Sequence, residues 1–302
     1  MSEVKVSVIC LAYNQENEIR QALDGFVAQQ TPWPIEVLVH DDASTDGTAD
    51  VIREYEARYP ELIYGFYAPE NRLSQGIVIS RDILYPFIHG EYVALCEGDD
   101  YWTSPQKLRL QVEALEKHPE ADICAHAACR LRPGGRVIYD APYRRDTVIP
   151  VEEVIIGGGG FVDTCTLLCR RGAYMLQTPM RQELYNDYAL QIQGSLRGGM
   201  VYLGTCMGVY RQGLPGSWTS RHHGAAHSAY RVLIRNMLRA LDEYTEGKYS
   251  AVIERRIRLY DSDDLAVGGH FLRMLSPREL PVTAHQIRRN LRKLWMNLLY
   301  RL

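Results

Sequence analysis

The fold is decided by residues 4–48, which read VKVSVICLAYNQENEIRQALDGFVAQQTPWPIEVLVHDDASTDGT. A β-rich run over Val4–Cys10 is followed by apolar residues at helical spacing within Glu16–Gln30. The prolines of Thr31–Pro34 end that helix, and Ile35–Val39 reads as a second apolar strand. A strand, a helix and another strand in succession predict a βαβ unit.

The same alternation continues along the chain and predicts an α/β protein with a mainly parallel, twisted sheet flanked by helices. The next predicted elements are a helix over Ala49–Tyr59, a strand over Leu62–Tyr67, a helix over Ile77–Ile88, a strand over Glu91–Cys96 and a helix over Lys107–His118. Beyond them we predict a strand over Ala121–Arg130, a loop over Arg132–Asp146, a strand over Phe161–Cys169, a helix over Glu183–Leu196, a strand over Met200–Tyr210, and helices within 225–260 and 283–302.

Composition excludes several classes of protein. The formal net charge of the 302-residue chain is −3, which argues against a nucleic-acid binder. No apolar run approaches the length of a membrane-spanning helix. Seven cysteines without a CxxC pair favour reduced thiols in an intracellular protein, so we expect a cytoplasmic location.

Polar residues follow three of the predicted strands, and parallel strands would bring them to one edge of the sheet. They are Tyr13, the pair Asp41 and Asp42, and the pair Asp99 and Asp100. Ligands of open α/β sheets bind outside the carboxyl ends of the strands. Adjacent carboxylates with few other ligands suit Mg²⁺ or Mn²⁺, although a solvated turn is an alternative reading of Asp99 and Asp100.

The ordered motifs VSVICLAYNQE, IEVLVHDDASTDGT, GEYVALCEGDDYW, NDYAL and VYR resemble those of family 2 glycosyltransferases, which have the GT-A fold. The resemblance covers roughly residues 4–220. It implies an inverting enzyme that moves a sugar from a nucleoside diphosphate sugar, most often a UDP-sugar, to an acceptor hydroxyl. Acceptors of this kind occur in polysaccharide, glycolipid and other glycoconjugate biosynthesis. The cofactor implied is Mn²⁺ or Mg²⁺.

The resemblance also implies a role for individual residues. Tyr13 and Asp42 would contact the base or ribose of the donor. Asp100 would hold the metal that bridges the diphosphate, with Asp99 beside it facing the metal, ribose or sugar. Asp187 would be the general base, for which a helix N-terminal charge is the alternative reading. Independently of the resemblance, Arg211 or Arg221 is expected to pair with phosphate, because a guanidinium binds phosphate oxygens.

The chain departs from the family pattern after Arg211. Gly213 stands where relatives carry a histidine that approaches the metal or diphosphate, and His222 and His223 are candidates to replace it.

Two other functions stay open: a catalytically inactive protein that binds nucleotide sugars or glycans, and a sugar-nucleotide pyrophosphorylase. The latter normally has a Gly-rich loop with a basic residue after the first strand, which Leu11–Asn14 lacks.

The pattern divides the chain into a catalytic domain over residues 1–222 and a helical C-terminal extension over 223–302. The nucleotide-sugar-binding half would be 1–105 and the acceptor-binding half 106–222. The extension carries a net charge of +6, against −9 for the rest. Its segment 285–302 is a basic amphipathic helix, which predicts either peripheral contact with the inner face of the membrane or docking on the catalytic domain or on a second copy in a homodimer.

Overall fold

The computed structural model describes residues 3–214 and 225–267. The strands are β1 Val6–Ala12, β2 Ile35–Asp41, β3 Ile63–Tyr67, β4 Tyr92–Leu95, β5 Tyr101–Trp102, β6 Ile123–Arg132, β7 Arg136–Asp140, β8 Thr147–Ile149, β9 Leu168–Arg170 and β10 Met200–Arg211. The helices are α1 Ile19–Val27, α2 Thr48–Arg58, α3 Lys107–Lys117, α4 Val151–Gly157, α5 Arg171–Met175, α6 Pro179–Glu183, α7 Asp187–Ser195, α8 Ala225–Tyr244 and α9 Ser250–Val267.

All ten strands belong to one sheet, in the order β3-β2-β1-β4-β9-β6-β10-β5, with β7 beside β6 and β8 beside β10. The first four strands of this order are parallel to one another. The short β9 is antiparallel to both β4 and β6, whereas β6 and β10 are parallel. The α/β class is confirmed, and the parallel arrangement holds within the first half, while the second half is mixed.

Helices cover both faces of the sheet and bury a separate apolar cluster on each face. The cluster under α1, α2 and α3 includes Phe26, whose ring meets that of Trp102 at 4.7 Å between centroids. Gly25 allows this approach, because a β-carbon there would lie 2.9 Å from the Trp102 carbonyl oxygen. Each fully buried large apolar side chain stabilises such a fold by about 1.5–3 kcal/mol.

Three predicted elements differ from the observed ones. Ile77–Ile88 forms a π-turn over Ser80–Leu84 and a 3-10 turn over Tyr85–Phe87, because Pro86 cannot continue an α-helix. The predicted loop over Arg132–Asp146 contains β7, which forms a hairpin with β6. The turn uses Gly134 and Gly135, whose φ angles are 82° and 78°.

The predicted strand over Phe161–Cys169 is for the most part wrong. Thr164–Thr166 forms a 3-10 turn, and only Leu168–Arg170 joins the sheet. The Thr166 backbone N–H and hydroxyl both donate to the Asp163 carbonyl, at 2.9 and 2.6 Å, which closes the turn. This turn brings the Thr164 hydroxyl into hydrogen-bonding contact with Asp187.

The C-terminal helices pack on the second half of the sheet, α8 against α6 and α9 against α4. Arg256 of α9 is buried and donates to the Ile156 carbonyl at 3.3 Å. Among the described residues, no helix has the length and apolar character needed to cross a membrane. The candidate residues 221–223 and the basic segment 285–302 lie outside the described residues, so their predicted roles stay predictions.

Candidate functional site

The polar residues at the strand ends meet at one edge of the sheet, as their order in the sequence predicts. Strand β1 lies between β2 and β4, and all three run parallel. The Asp42 N–H donates to the Ala12 carbonyl at 3.0 Å, and the Gly98 N–H donates to the Leu11 carbonyl at 3.0 Å. Tyr13, Asp41, Asp42, Asp99 and Asp100 therefore form one group, which we call the strand-end cluster.

The loops of this cluster are tied to each other by side chains. The Asn14 amide oxygen accepts from the Thr45 N–H at 2.8 Å, and the Ser44 hydroxyl accepts from the Asn14 N–H at 2.9 Å. Asn14 and Ala43 both lie in the left-handed region, with φ of 53° and 62°. This conformation costs about 1 kcal/mol or more for a residue with a β-carbon. The two loops thus store backbone strain beside the strand-end cluster.

Asp42 and Asp41 have different environments, although both are buried. The Asp42 carboxylate accepts from the backbone N–H groups of Arg72 and Leu73, at 2.7 and 3.1 Å, and so holds the turn over Leu73–Gln75. One Asp41 oxygen accepts from the Ser44 N–H at 3.2 Å, and the other is buried without a hydrogen-bond partner among the described residues. The sequence pattern favoured Asp42 as the residue that contacts the donor. The carboxylate oxygen without a hydrogen-bond partner among the described residues belongs instead to Asp41.

Glu97, Asp99 and Asp100, which we call the acidic motif, bring their carboxylate oxygens within 4.8 Å of one another. Asp100 is fully buried. One of its oxygens accepts from the Arg211 N–H at 2.8 Å, and the other has no partner among the described residues. Burial, and then the charges of Asp99 and Glu97, raise the pKa of Asp100 well above its ordinary value.

These features fit a divalent cation. Three hard oxygen ligands converge, and a buried carboxylate oxygen that points at no donor is costly unless a cation or proton offsets it. Sequence analysis named Asp99 and Asp100 but did not assign Glu97. The signal was present in the same motif, because Glu97 lies two residues before Asp99.

Arg211 contacts the acidic motif rather than open solvent. Its guanidinium donates to the Asp99 carbonyl at 2.6 Å and to the Gln21 side chain, and it lies 4.6 Å from the centre of the Tyr101 ring. Both its backbone and its side chain therefore fix the loop of Asp99 and Asp100. A phosphate contact would have to use the remaining guanidinium surface.

Asp187 is the first residue of α7. Its hydrogen-bond partner Thr164 lies in a turn that is joined to the segment after the acidic motif, because the Trp102 indole N–H donates to the Cys165 carbonyl at 2.9 Å. The Thr164 hydroxyl donates to one Asp187 oxygen at 3.0 Å. Enclosure by the protein raises the pKa of Asp187 to about 6, while the Thr164 hydrogen bond acts in the opposite direction. A pKa near working pH suits a general base.

The start of α7 is held by a residue of the later helix α8. The Asn186 side chain caps the helix by accepting from the Ala189 N–H at 2.8 Å, and it donates to the Tyr230 hydroxyl at 2.7 Å. Tyr230 belongs to α8. Thr164, Asn186, Asp187 and Tyr230 form a second group, the Asp187 cluster. The sequence pattern assigned a role only to Asp187. Asn186 lies in the same NDYAL motif, whereas Thr164 and Tyr230 lie in distant segments of the chain.

A buried lysine lies under the acidic motif. Lys107 is fully buried; its ammonium donates to the Gln111 side-chain oxygen at 2.7 Å and lies 4.0 Å from the centre of the Trp102 ring. Burial lowers its pKa to about 8. This residue was not singled out in the sequence, where it reads as an ordinary helix-surface lysine.

The sequence of this chain is similar to those of a protein family and of individual known proteins. A family model described as "Glycosyl transferase family 2" matches residues 7–156. A Mycobacterium tuberculosis protein is 38% identical over 229 residues, which cover 74% of this chain and 61% of that protein. The putative teichuronic acid biosynthesis glycosyltransferase TuaG of Bacillus subtilis is 36% identical over 111 residues, or 36% of this chain and 41% of its own. The chain thus spans about three fifths of its mycobacterial relative.

The fold resembles that of a solved enzyme. Staphylococcus aureus TarS, residues 1–349 in complex with UDP-GlcNAc, superposes with a TM-score of 0.64 at 16% identity, covering 92% of this chain and 78% of that one. This likeness shows that the sheet and its helices have the GT-A arrangement.

Proposed function

Because the chain belongs to glycosyl transferase family 2, we propose that it is an inverting glycosyltransferase. Its donor would be a nucleoside diphosphate sugar, with a UDP-sugar as first choice, since TarS is described in complex with UDP-GlcNAc. Its acceptor would be a hydroxyl of a cell-surface polysaccharide, glycolipid or other glycoconjugate, in keeping with the name of TuaG.

One observation carries this proposal: three carboxylates converge at the carboxyl edge of the sheet, in the segment that follows β4. Asp100 offers a buried oxygen without a partner among the described residues, and Asp187 has a pKa raised to about 6. A leaving-group site and a base are the two elements that displacement at an anomeric carbon requires.

The strand-end cluster would bind the donor. Tyr13, which is 42% exposed, would stack on the base or ribose, and Asp41 or Asp42 would accept from the base. Asp100 and Asp99, with Glu97 beside them, would hold Mn²⁺ or Mg²⁺, which supplies positive charge to the diphosphate oxygens when bound. Arg211 keeps the loop of these carboxylates in place and would meet a phosphate oxygen with its outer face.

Asp187 would act on the acceptor. Oriented by the Thr164 hydroxyl, its carboxylate would accept the acceptor hydroxyl proton while the new bond forms. The base and the leaving group lie on opposite sides of the anomeric carbon in such a step, so the configuration inverts. The carboxylate must be ionised, and the proposed activity should therefore rise as the pH passes through about 6.

The test is thermal stability against a panel of nucleoside diphosphates, with and without Mn²⁺, for the wild type and Asp100→Ala. A ligand that binds only the folded state raises Tm by mass action. At a free ligand concentration of a hundred times Kd, it raises the free energy of unfolding by about 2.7 kcal/mol. We expect UDP to stabilise the wild type only with Mn²⁺, and the variant to lose this response. If no diphosphate stabilises the wild type and no UDP-sugar is consumed, the proposal is wrong.

A further inference from the structure

Two cysteines face each other on neighbouring strands, one of which ends at Arg211. Cys129 of β6 and Cys206 of β10 place their Sγ atoms 3.5 Å apart, and both side chains are half-buried. The other five cysteines are fully buried: Cys10, Cys96, Cys124, Cys165 and Cys169. A reagent in solution therefore reaches this pair before it reaches any other thiol.

The backbone around Cys206 is irregular. The register between β10 and β6 shifts on both sides of this residue, between Leu203 and Cys206 and again between Cys206 and Gly208. A disulfide needs its sulfur atoms about 2.05 Å apart, so closure requires an approach of roughly 1.5 Å. A bulged strand can make such a shift with less disruption than a regular ladder, since Thr205 and Met207 on either side of Cys206 have no partner in β6.

The two thiols are not equivalent. Either thiol can donate to the other, and when Cys206 is the donor the pKa of Cys129 is lowered while that of Cys206 is raised. The thiolate is the nucleophile in thiol–disulfide exchange. In this arrangement Cys129 is the thiol that attacks first, and Cys206 lies in contact with it and resolves the mixed disulfide.

The pair is connected to the acidic motif by a short length of strand. Five residues beyond Cys206, the backbone N–H of Arg211 donates to the Asp100 carboxylate, and the Arg211 side chain donates to the Asp99 carbonyl. A displacement of β10 at Cys206 therefore moves the group that orients Asp100.

We propose that Cys129 and Cys206 form a thiol modification site, which a low-molecular-weight disulfide converts into an intramolecular disulfide, and that this oxidation weakens nucleotide binding at the acidic motif. The second half of this statement rests on the proposed function. In the first step the Cys129 thiolate attacks one sulfur of the reagent and releases one thiolate. Cys206 then loses its proton, attacks Cys129 Sγ and releases the second thiolate, so two protein thiols are oxidised while one disulfide is reduced.

The chemical half is tested on the full chain by incubation with oxidised glutathione, followed by mass spectrometry of the intact protein and of its peptides. We expect a loss of about 2 Da, a peptide that joins Cys129 to Cys206, and full reversal by dithiothreitol. Cys206→Ser should instead retain one glutathione on Cys129. If the wild type also stops at a glutathione adduct, or if no thiol reacts before the protein unfolds, the proposal is overturned.

The functional half is tested by binding of UDP with Mn²⁺ to the reduced and oxidised wild type, measured by calorimetry. Loss of a hydrogen bond to a charged group corresponds to roughly a tenfold change in Kd or more, so we expect binding at least about tenfold weaker after oxidation. Cys206→Ser, treated alike, should bind as before. Equal affinity of both wild-type forms would refute the link to the acidic motif. If the reduced wild type binds no nucleotide, this half falls with the proposed function, and the mass measurement still decides the first.

Discussion

The strand-end cluster and the Asp187 cluster hold their carboxylates in different ways. Asp42 and Asp100 accept from backbone N–H groups of Arg72, Leu73 and Arg211. Asp187 accepts from the Thr164 hydroxyl in addition to backbone N–H groups at the start of α7, and the cap of its helix is held by the Tyr230 hydroxyl. Backbone donors persist through most substitutions, whereas side-chain donors are lost by a single one. The first group is thus built into the sheet, and the second can be adjusted one residue at a time.

The strongest test of this contrast is Asp187→Asn. A general base contributes about 10²- to 10⁴-fold, so we expect kcat for sugar transfer to fall by that range, with UDP binding unchanged. The carboxyl has a folded-state pKa raised to about 6, so its ionisation destabilises the fold as the pH rises through that value. The variant should therefore be at least as stable as the wild type at pH 8, measured by thermal unfolding. A loss of nucleotide binding would mean that the two clusters are not separable.

Thr164→Val should have the next largest effect. It removes the donor that favours the charged form of Asp187, so the pKa rises and the acidic limb of the kcat–pH profile moves to higher pH. We expect roughly a tenfold loss of kcat at pH 6 and a smaller loss at pH 8, with an unchanged KM for the donor. Thr164→Ser keeps the hydroxyl and should restore the wild-type profile. An unshifted limb would show that Thr164 does not orient the base.

Tyr230→Phe probes the same cluster from α8. The Asn186 amide would lose its acceptor, at a cost of about 1 kcal/mol, and kcat should fall a few-fold while nucleotide binding is kept. Tyr244→Phe is the matched control, because Tyr244 lies on the same helix and is 47% exposed. Steady-state kinetics of both variants decide the matter: equal effects would assign the loss to the helix and not to the cap.

The smallest expected effect belongs to the strand-end cluster. Ala43 has a φ of 62°, a conformation that glycine adopts without strain, so Ala43→Gly should stabilise the protein by up to about 1 kcal/mol. Ala57→Gly, at an exposed position in α2, should destabilise it by a similar amount. Urea unfolding of both variants gives the sign. A destabilised Ala43→Gly would show that this loop carries no strain.

The contrast also explains how much the sequence could predict. Tyr13, Asp42, Asp99 and Asp100 follow strands directly, so the order of the strands alone places them together. The sequence pattern favoured Asp42 over Asp41, but it could not show that the Asp42 carboxylate already accepts from Arg72 and Leu73, thirty residues away. The roles of individual residues in binding and catalysis stay predictions.

The second half was harder to predict, because its interactions are long-range. Thr164 reaches Asp187 from a 3-10 turn, where β propensity predicted a strand. The turn forms because the Asp163 carbonyl accepts from both the N–H and the hydroxyl of Thr166. Tyr230 meets Asn186 across 44 positions of sequence. No local pattern encodes either contact.

The hydroxyl of Tyr230 has a consequence for recombination between relatives. The family model ends at residue 156, so the segment it matches can be exchanged without touching Thr164, Asp187 or Tyr230. An exchange with a crossover between α7 and α8 would separate the helix cap from its partner. The Asp187 cluster therefore stays together only when the exchanged segment extends from the loop after α4 through α8, further along the chain than the family model reaches.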